Sequence, residues 1–199
     1  MNEHTIPAEP HQPVAEARAP RPASPLTKEF WKLCREDIRS NMGWTRPGAR
    51  AMLAYRFGAW TLTVRTPVLG ALLRRLGLAM HRYIRNAYGI EIYATATIGR
   101  RVTIGHQNGI VIHEYAKIGD DCLIRQGVTM GLANAKGAEA APDNAPTIGS
   151  RVDIGAGALI MGAVTIGDDV TIFPNAVVMT NVPPRSTVIS PVSRILPRS

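Results

Sequence analysis

From Ile92 to Val182 an aliphatic residue returns at every sixth position. The series runs Ile92, Ile98 and Ile104, then Ile112, Ile118, Ile124 and Met130, then Ile148, Ile154, Ile160, Ile166, Ile172 and Val178. Four residues after most of these stands a second small or branched apolar residue, as at Ala96, Val102, Ala116, Cys122, Val128, Val152, Ala158, Val164, Val170, Ala176 and Val182. Such a period fits neither one face of a helix nor the strict alternation of a half-buried strand, which an ordinary β-sandwich would need. It suits a coil whose every turn is three short strands joined by tight corners. The leading aliphatic then fills the interior, and glycine, asparagine or aspartate takes the strained corner dihedrals. No single turn buries its apolar side alone, so turns must stack. The pattern therefore predicts a mainly β fold, a parallel β-helix over residues 90–182. Its phase breaks twice: two extra residues separate Ile104 from Ile112, and a long insertion separates Met130 from Ile148. Insertions in repeat arrays map to loops on one face, often the binding face.

Other segments frame the array. Residues 1–26 carry Pro7, Pro10, Pro13, Pro20, Pro22 and Pro25 among alanines and glutamates. That composition cannot offset its own ordering entropy and is expected to be disordered. Residues 27–89 read as helical. Thr27 is placed to cap a helix over 28–40, with Phe30, Leu33, Cys34 and Ile38 on one stripe. Pro47 suits the start of a second helix reaching Val64, with Met52, Leu53, Phe57 and Trp60 on one face. Pro67 opens a third through Leu69, Leu72, Leu73, Leu76 and Met80 to about Tyr88, where Gly89 stops it. A solenoid end exposes unpaired strand edges, so these helices are expected to cap the first coil. After Val182 the repeat gives out through Pro183, Pro184, Pro191 and Pro197, and residues 183–199 are expected to form an extended tail.

The formal net charge of +8 is unevenly placed. Residues 28–89 hold twelve Lys or Arg against three acids, whereas from Ile90 onward nine basic residues balance nine acidic ones. This argues against nucleic acid bound along the solenoid. The helices over 46–88, with Arg74, Arg75, Arg82 and Arg85, are left with two readings. They form a solvated face, or a peripheral contact with anionic lipid in which the leucine stripe dips into the interface. Cys34 and Cys122 are too few and too far apart for a disulfide framework or a metal site, and read as reduced core cysteines. The first residues lack the apolar stretch of a signal peptide, and no apolar run approaches the ~20 residues that cross a bilayer. The expectation is a cytoplasmic protein, with the inner face of the membrane as an alternative location.

The histidines are His4, His11, His81, His106 and His113. The first two lie in the proline-rich tail and His81 on the basic helix. His106 lies at the first phase break, in Ile104-Gly105-His106-Gln107-Asn108-Gly109-Ile110-Val111-Ile112. A side chain can leave the regular wall there. His106 with His113 does not supply the three converging histidines of a carbonic anhydrase-type metal site, and no metal is expected.

The repeat resembles the hexapeptide-repeat acyltransferases, which implies a left-handed β-helix. The segment around His106 is specifically similar to the serine acetyltransferases, whose catalytic stretch reads Asp-His-x-x-Gly-Ile-Val at this place in the coil. Further matches are Ala54-Tyr55-Arg56-Phe57-Gly58-Ala59-Trp60, the lead-in Glu91 to Gly99, Gln126-Gly127-Val128-Thr129-Met130-Gly131, and Ile154-Gly155-Ala156-Gly157-Ala158. The resemblance covers roughly Glu36 to Leu196. It implies acetyl-CoA as co-substrate and His106 as the general base that takes the acceptor's hydroxyl proton. It also implies a cleft between subunits in which thioester and hydroxyl meet directly. Coenzyme A is then expected along a groove near Gly131, Ala156 and Gly157. Lys136 is either a phosphate contact or a solvated loop lysine, and residues 132–146 form an active-site loop or lid. The family's large extra helical region, which joins two trimers, is not matched, so a homotrimer is expected.

Departures from the family pattern bear on the acceptor. The Asp before the catalytic His is Gly105, and the second active-site His, in Asp-Arg-His-Pro, aligns with Ala145 in Asp143-Asn144-Ala145-Pro146. The Arg-Asp-Pro segment that holds the serine ammonium has only Arg39-Ser40-Asn41 as a match. An amino-acid zwitterion needs fixed charges of both signs, whereas a sugar hydroxyl needs hydrogen bonds and a flat contact. Asn108, His113 and Glu114 are candidates to orient a sugar, His113 being equally readable as a surface residue, and Asp143 is a weaker candidate. The resemblance then points to a branch that acetylates sugars, on polyprenyl-linked oligosaccharides, in exopolysaccharide or capsule synthesis. The rival readings are a serine O-acetyltransferase of cysteine biosynthesis and a non-catalytic hexapeptide scaffold. Against the former stands also the terminal Ile195-Leu196-Pro197-Arg198-Ser199, where family members often end in Ile.

Overall fold

The computed structural model describes residues 28–133 and 141–191. Three helices come first, α1 (Lys28–Ser40), α2 (Pro47–Thr61) and α3 (Pro67–Tyr88). Each of the two prolines stands in a first turn, where its missing N–H removes no intrahelical bond. Gly89 ends α3 in the left-handed conformation, φ 62°, with its N–H donated to the Arg85 carbonyl. Thr27, Lys136 and the two tails at 1–26 and 192–199 lie outside the described residues.

From Ile90 the chain winds as a parallel β-solenoid with three faces, five, four and five strands deep. The first face stacks Ile90–Ile92, Ile110–Ile112, Thr129–Gly131, Leu159–Met161 and Val177–Val178. The second stacks Thr97–Ile98, Lys117–Ile118, Thr147–Ile148 and Thr165–Ile166. The third stacks Thr103–Ile104, Leu123–Ile124, Asp153–Ile154, Thr171–Ile172 and Thr187–Val188. The six-residue period thus becomes three inward columns in register. They are Ile92–Ile112–Met130–Ile160–Val178, Ile98–Ile118–Ile148–Ile166 and Ile104–Ile124–Ile154–Ile172–Val188. All but Val188 in these columns are buried, and each buried aliphatic contributes roughly 1.5–3 kcal/mol over an exposed one.

The corner between the second and third faces departs from expectation. Its left-handed position is held by Arg101, Asp121, Arg151, Asp169 and Arg185, all with φ between 55° and 59°. Arginine there is sterically unfavourable, and the stacking explains it. The charges alternate along the column, and Arg101 Nε donates to Asp121, and Arg151 Nε to Asp169, each at 2.6 Å. The corner between the third and first faces keeps the expected residues, Gly109, Gly127, Gly157 and Asn175.

The helices cap the first coil, and the bonds that do so can be named. Tyr55 Oη accepts the Ile98 N–H at 3.1 Å and donates to the Ala96 carbonyl at 2.8 Å. Arg56 donates to the Ile98 and Gly99 carbonyls. Asn41 accepts the Ile104 N–H and donates to the Val102 carbonyl, at 2.8 and 2.9 Å. His81 Nδ1 lies 3.1 Å from the Ile92 carbonyl, which sets that nitrogen as the donor. Backbone groups at the exposed edge of all three faces are therefore met by side chains, as buried edges require. Arg56 is itself neutralised by Asp37, Nε to Oδ2 at 2.8 Å. Burial pushes the Asp37 carboxyl up, Arg56 pulls against that shift, and the guanidinium stays charged.

Candidate active site

Register shows why His106 leaves the wall. Between the third and first faces the first coil takes eight positions from Ile104 to Ile112, where the next coil takes six from Ile124 to Met130, its paired residues. The chain rejoins the stack at Asn108, whose carbonyl accepts the Gly127 N–H at 2.9 Å, and at Gly109, which lies over Gly127. The two surplus residues fall in the stretch Gly105 to Gln107, so His106 and Gln107 bulge outward and are exposed. Asn108 (φ 91°) and Gly109 (φ 70°) close the bulge, and the Asn108 side chain lies over Gly89 at the end of α3, where a Cβ would stand 2.5 Å from its Oδ1.

The same corner continues down the solenoid in two columns. Gly157 donates to the Gln126 carbonyl and Asn175 to the Ala156 carbonyl, at 2.9 and 2.8 Å, so Asn108, Gln126 and Ala156 stand in one line and Gly109, Gly127 and Gly157 in the next. A Cβ on Gly127 would lie 3.2 Å from the Gly157 Cα, so this edge is an uncluttered ridge of backbone. Ala156 and Gly157 are thus two rungs from the His106 bulge, on the order of 10 Å. Gln126 sits between them, exposed. Sequence reasoning passed over it, although 108, 126 and 156 share one phase of the repeat.

His113, Glu114 and Gly131 lie at a different corner. The His113 N–H donates to the Met130 carbonyl, and Gly162 donates to Gly131, which puts His113 above Gly131 at the passage from the first face to the second. His113 Nδ1 accepts the Tyr115 N–H at 3.3 Å, and the two rings lie 5.5 Å apart. The ring proton therefore sits on Nε2, which can donate outward but not act as a base. Asp143 is exposed in a short 3-10 turn, Pro142–Asn144, ahead of the second face. Ala145 beside it is buried. Within one chain the expected site residues thus form two groups, His106, Asn108, Ala156 and Gly157 on one edge and His113, Glu114, Gly131 and Asp143 about the other. The width of the first face separates them. Asn41 is committed to the first coil and is 2% exposed, so it is not available to a ligand. A cavity of about 210 Å³ lies elsewhere, between α2, α3 and the first coil, lined by Ala54, Gly58, Leu62, Leu78, His81 and Ile92 among others; it does not include His106.

The chain is 39% identical to the serine acetyltransferase of Helicobacter pylori over 173 residues, 82% of this chain and 92% of that protein. The chain belongs to the serine acetyltransferase family. No family model matches it. It is 36% identical over 164 residues to a putative colanic acid biosynthesis acetyltransferase of Escherichia coli K12, covering 80% of this chain and 96% of that one. The serine acetyltransferase of Mycobacterium tuberculosis is 39% identical over 153 residues, but the chain spans 62% of its length. Among solved structures, soybean serine acetyltransferase superposes with TM-score 0.69 at 30% identity, over 83% of this chain and 68% of that one. Family membership supports the β-solenoid with N-terminal helices. The relatives are all named as acetyltransferases, of serine in the Helicobacter and Mycobacterium proteins and of colanic acid biosynthesis in the Escherichia coli protein.

Proposed function

We propose that this protein transfers an acetyl group from acetyl-CoA to a hydroxyl, with His106 as general base, and that the acceptor is a sugar of a cell-surface polysaccharide, presented on a polyprenyl-linked intermediate. The observation that carries the reading is the two-residue bulge that lifts His106 out of the coil at the head of the glycine column Gly109, Gly127 and Gly157, with Ala156 beside it. An imidazole titrates near pH ~6.5 and so accepts a proton at neutrality, whereas an alcohol does not ionise there. His106 takes the hydroxyl proton as the oxygen attacks the thioester carbon. The tetrahedral adduct collapses to the ester, and the departing thiolate takes the proton back from the imidazolium. Ala156, Gly157 and Gly131 let the backbone approach the pantetheine arm. The two groups of site residues stand on opposite edges of one face, so a complete site needs the His106 edge of one subunit beside the His113 edge of the next. A homotrimer supplies that arrangement. His113 then donates from Nε2 to the acceptor, with Asn108, Glu114 and Asp143 as further polar contacts.

The absence of amino-acid recognition supports the sugar. Gly105 and the buried Ala145 occupy the positions where the family pattern places an aspartate and the second histidine, and Ser40, whose hydroxyl donates to the Asp37 carbonyl, falls where it places the ammonium-binding aspartate. The second reading, serine as acceptor, draws on the 39% identity to two serine acetyltransferases. The deciding measurement is release of coenzyme A thiol from acetyl-CoA, with L-serine and with sugar and polyprenyl-linked oligosaccharide acceptors. His106→Ala should lower kcat by ~10²–10⁴ with its melting temperature unchanged, because the side chain is exposed. Turnover with serine alone overturns the sugar reading, and an active His106→Ala protein overturns the base.

A further inference from the structure

The face of α3 turned away from the solenoid has no partner among the described residues. Gly70, Gly77 and Ile84 form its buried side, and a Cβ on Gly77 would lie 3.4 Å from the Gly58 Cα of α2. On the outer side Leu69, Leu72, Leu76 and Tyr83, at spacings of three, four and seven, line one stripe, each half or more exposed and Leu72 64%. Val68, at the start of the same helix, is 85% exposed. Arg75 and Arg82, seven residues apart, run beside this stripe, and both are exposed.

Charge identifies the occupant. No Asp or Glu occurs between Asp37 and Glu91, so α2 and α3 carry no acid at all. Arg65, Arg74, Arg75, Arg82 and Arg85 form no ion pair among the described residues. The acids that a second copy could offer are mostly engaged already: Glu36 with Arg100, Asp37 with Arg56, Asp121 with Arg101, Asp153 with Arg125, and Asp168 and Asp169 with Arg151. Two copies of this face packed together would set arginine against arginine. An apolar stripe flanked by cations, with no acid on α2 or α3 and no ion pair to these arginines among the described residues, matches a surface that is anionic outside and hydrocarbon beneath.

We infer that α3 is a membrane-surface helix, its Leu69–Leu72–Leu76–Tyr83 stripe seated at the acyl boundary and Arg75 and Arg82 on anionic phospholipid head groups. The inference is independent of acetyl transfer and goes beyond it: it gives the chain a bilayer-facing side, whatever the acceptor.

The test is co-sedimentation of the full chain with vesicles of phosphatidylcholine and phosphatidylglycerol, against phosphatidylcholine alone, at low and high salt. Binding should require phosphatidylglycerol and weaken with salt. The Arg75→Gln/Arg82→Gln protein should bind about thirtyfold more weakly, each arginine near an anionic surface giving about a factor of five. Leu72→Gln/Leu76→Gln should abolish binding, and since all four side chains are exposed, circular dichroism and melting should be unchanged. No binding to the mixed vesicles overturns the inference. So does binding that survives the leucine variant, which marks mere electrostatic adhesion, or a loss of subunits in that variant on sedimentation, which makes the face a contact between copies. Coenzyme A release with a soluble acceptor should not change in either variant, so failure here is separable from failure of the acetyl-transfer reading.

Discussion

At the scale of single residues, the glycines after each inward aliphatic are not equivalent. A Cβ on Gly119 would lie 2.6 Å from the Gly149 carbonyl carbon of the next coil, backbone against backbone with nowhere to move. A Cβ on Gly105 would meet the Leu123 Cδ1 at 3.5 Å, the Arg125 Cγ at 3.6 Å and the Ile124 carbonyl oxygen at 3.7 Å, all ordinary contact, and Gly105 has no positive φ. Gly119→Ala is therefore expected to cost about 1–3 kcal/mol or more through overpacking. Gly105→Ala should fall within about 0.5 kcal/mol of the wild type, as a surface substitution does. Denaturant unfolding of the two variants checks this, and equal losses would mean that the bulge at His106 is set by Gly105 after all. Gly105 is the residue immediately before the proposed base, so space for a side chain exists where the family pattern has an aspartate. The chain leaves that space empty without any packing reason to do so.

At the scale of elements, the helical region acts as a lid on an open strand edge, and the bonds that make it one come from few side chains. Asn41 serves two backbone groups of the first coil, the Ile104 N–H and the Val102 carbonyl. Asn41→Leu should leave both unpaired and destabilise the protein by about 2–6 kcal/mol, each buried orphan costing ~1–3. Amide hydrogen exchange gives the sharper readout: the Ile104 amide, protected in the wild type, should exchange faster in the variant, while Ile124 one coil below stays protected by its own stack. Equal exchange at both would show that the cap is not what closes that edge. The solenoid itself was readable from the sequence, because a six-residue period admits few other folds, and the helices likewise, from their prolines, stripes and Gly89. Asn41 was not readable as a cap, since its partners lie more than 60 residues away and its sequence context resembles a substrate-binding segment. Nor were the arginines at left-handed corners, whose compensating carboxylates come from the neighbouring coil. The division of the candidate site into two edges was available from phase alone, for 131 and 156 stand at different points of the repeat, yet it became plain only once register joined His113 to Gly131.

For the molecule as a whole, the two cysteines link core packing to alkaline stability. Cys122 fills an inward position and donates its thiol to the Gly149 carbonyl, while Cys34 packs with Phe30 and Trp60 under the helical cap. Burial pushes both thiols up to about 11. In the unfolded chain a thiol titrates near pH ~8.5. Above that pH the unfolded chain sheds these protons while the folded chain keeps them until about 11, so the unfolded state binds fewer protons and stability must fall as pH rises through this window. Burial raises the Tyr55 hydroxyl too, which adds to the fall at higher pH, whereas the hydrogen bond from Arg50 lowers Tyr88 and opposes it. Tyrosines ordinarily titrate near ~10, so between about pH 8 and about pH 9.5 the cysteines dominate the slope. The denaturant midpoint should therefore decline over that range in the wild type and flatten in the Cys34→Ala/Cys122→Ala protein, whatever that protein loses in absolute stability. In the native state neither thiol should react with a disulfide reagent at about pH 8, since the reactive thiolate is suppressed. A flat wild-type profile, or prompt labelling of the folded protein, would mean that at least one of these two sulfurs reaches solvent, through an opening of the solenoid if it is Cys122 or of the helical cluster if it is Cys34.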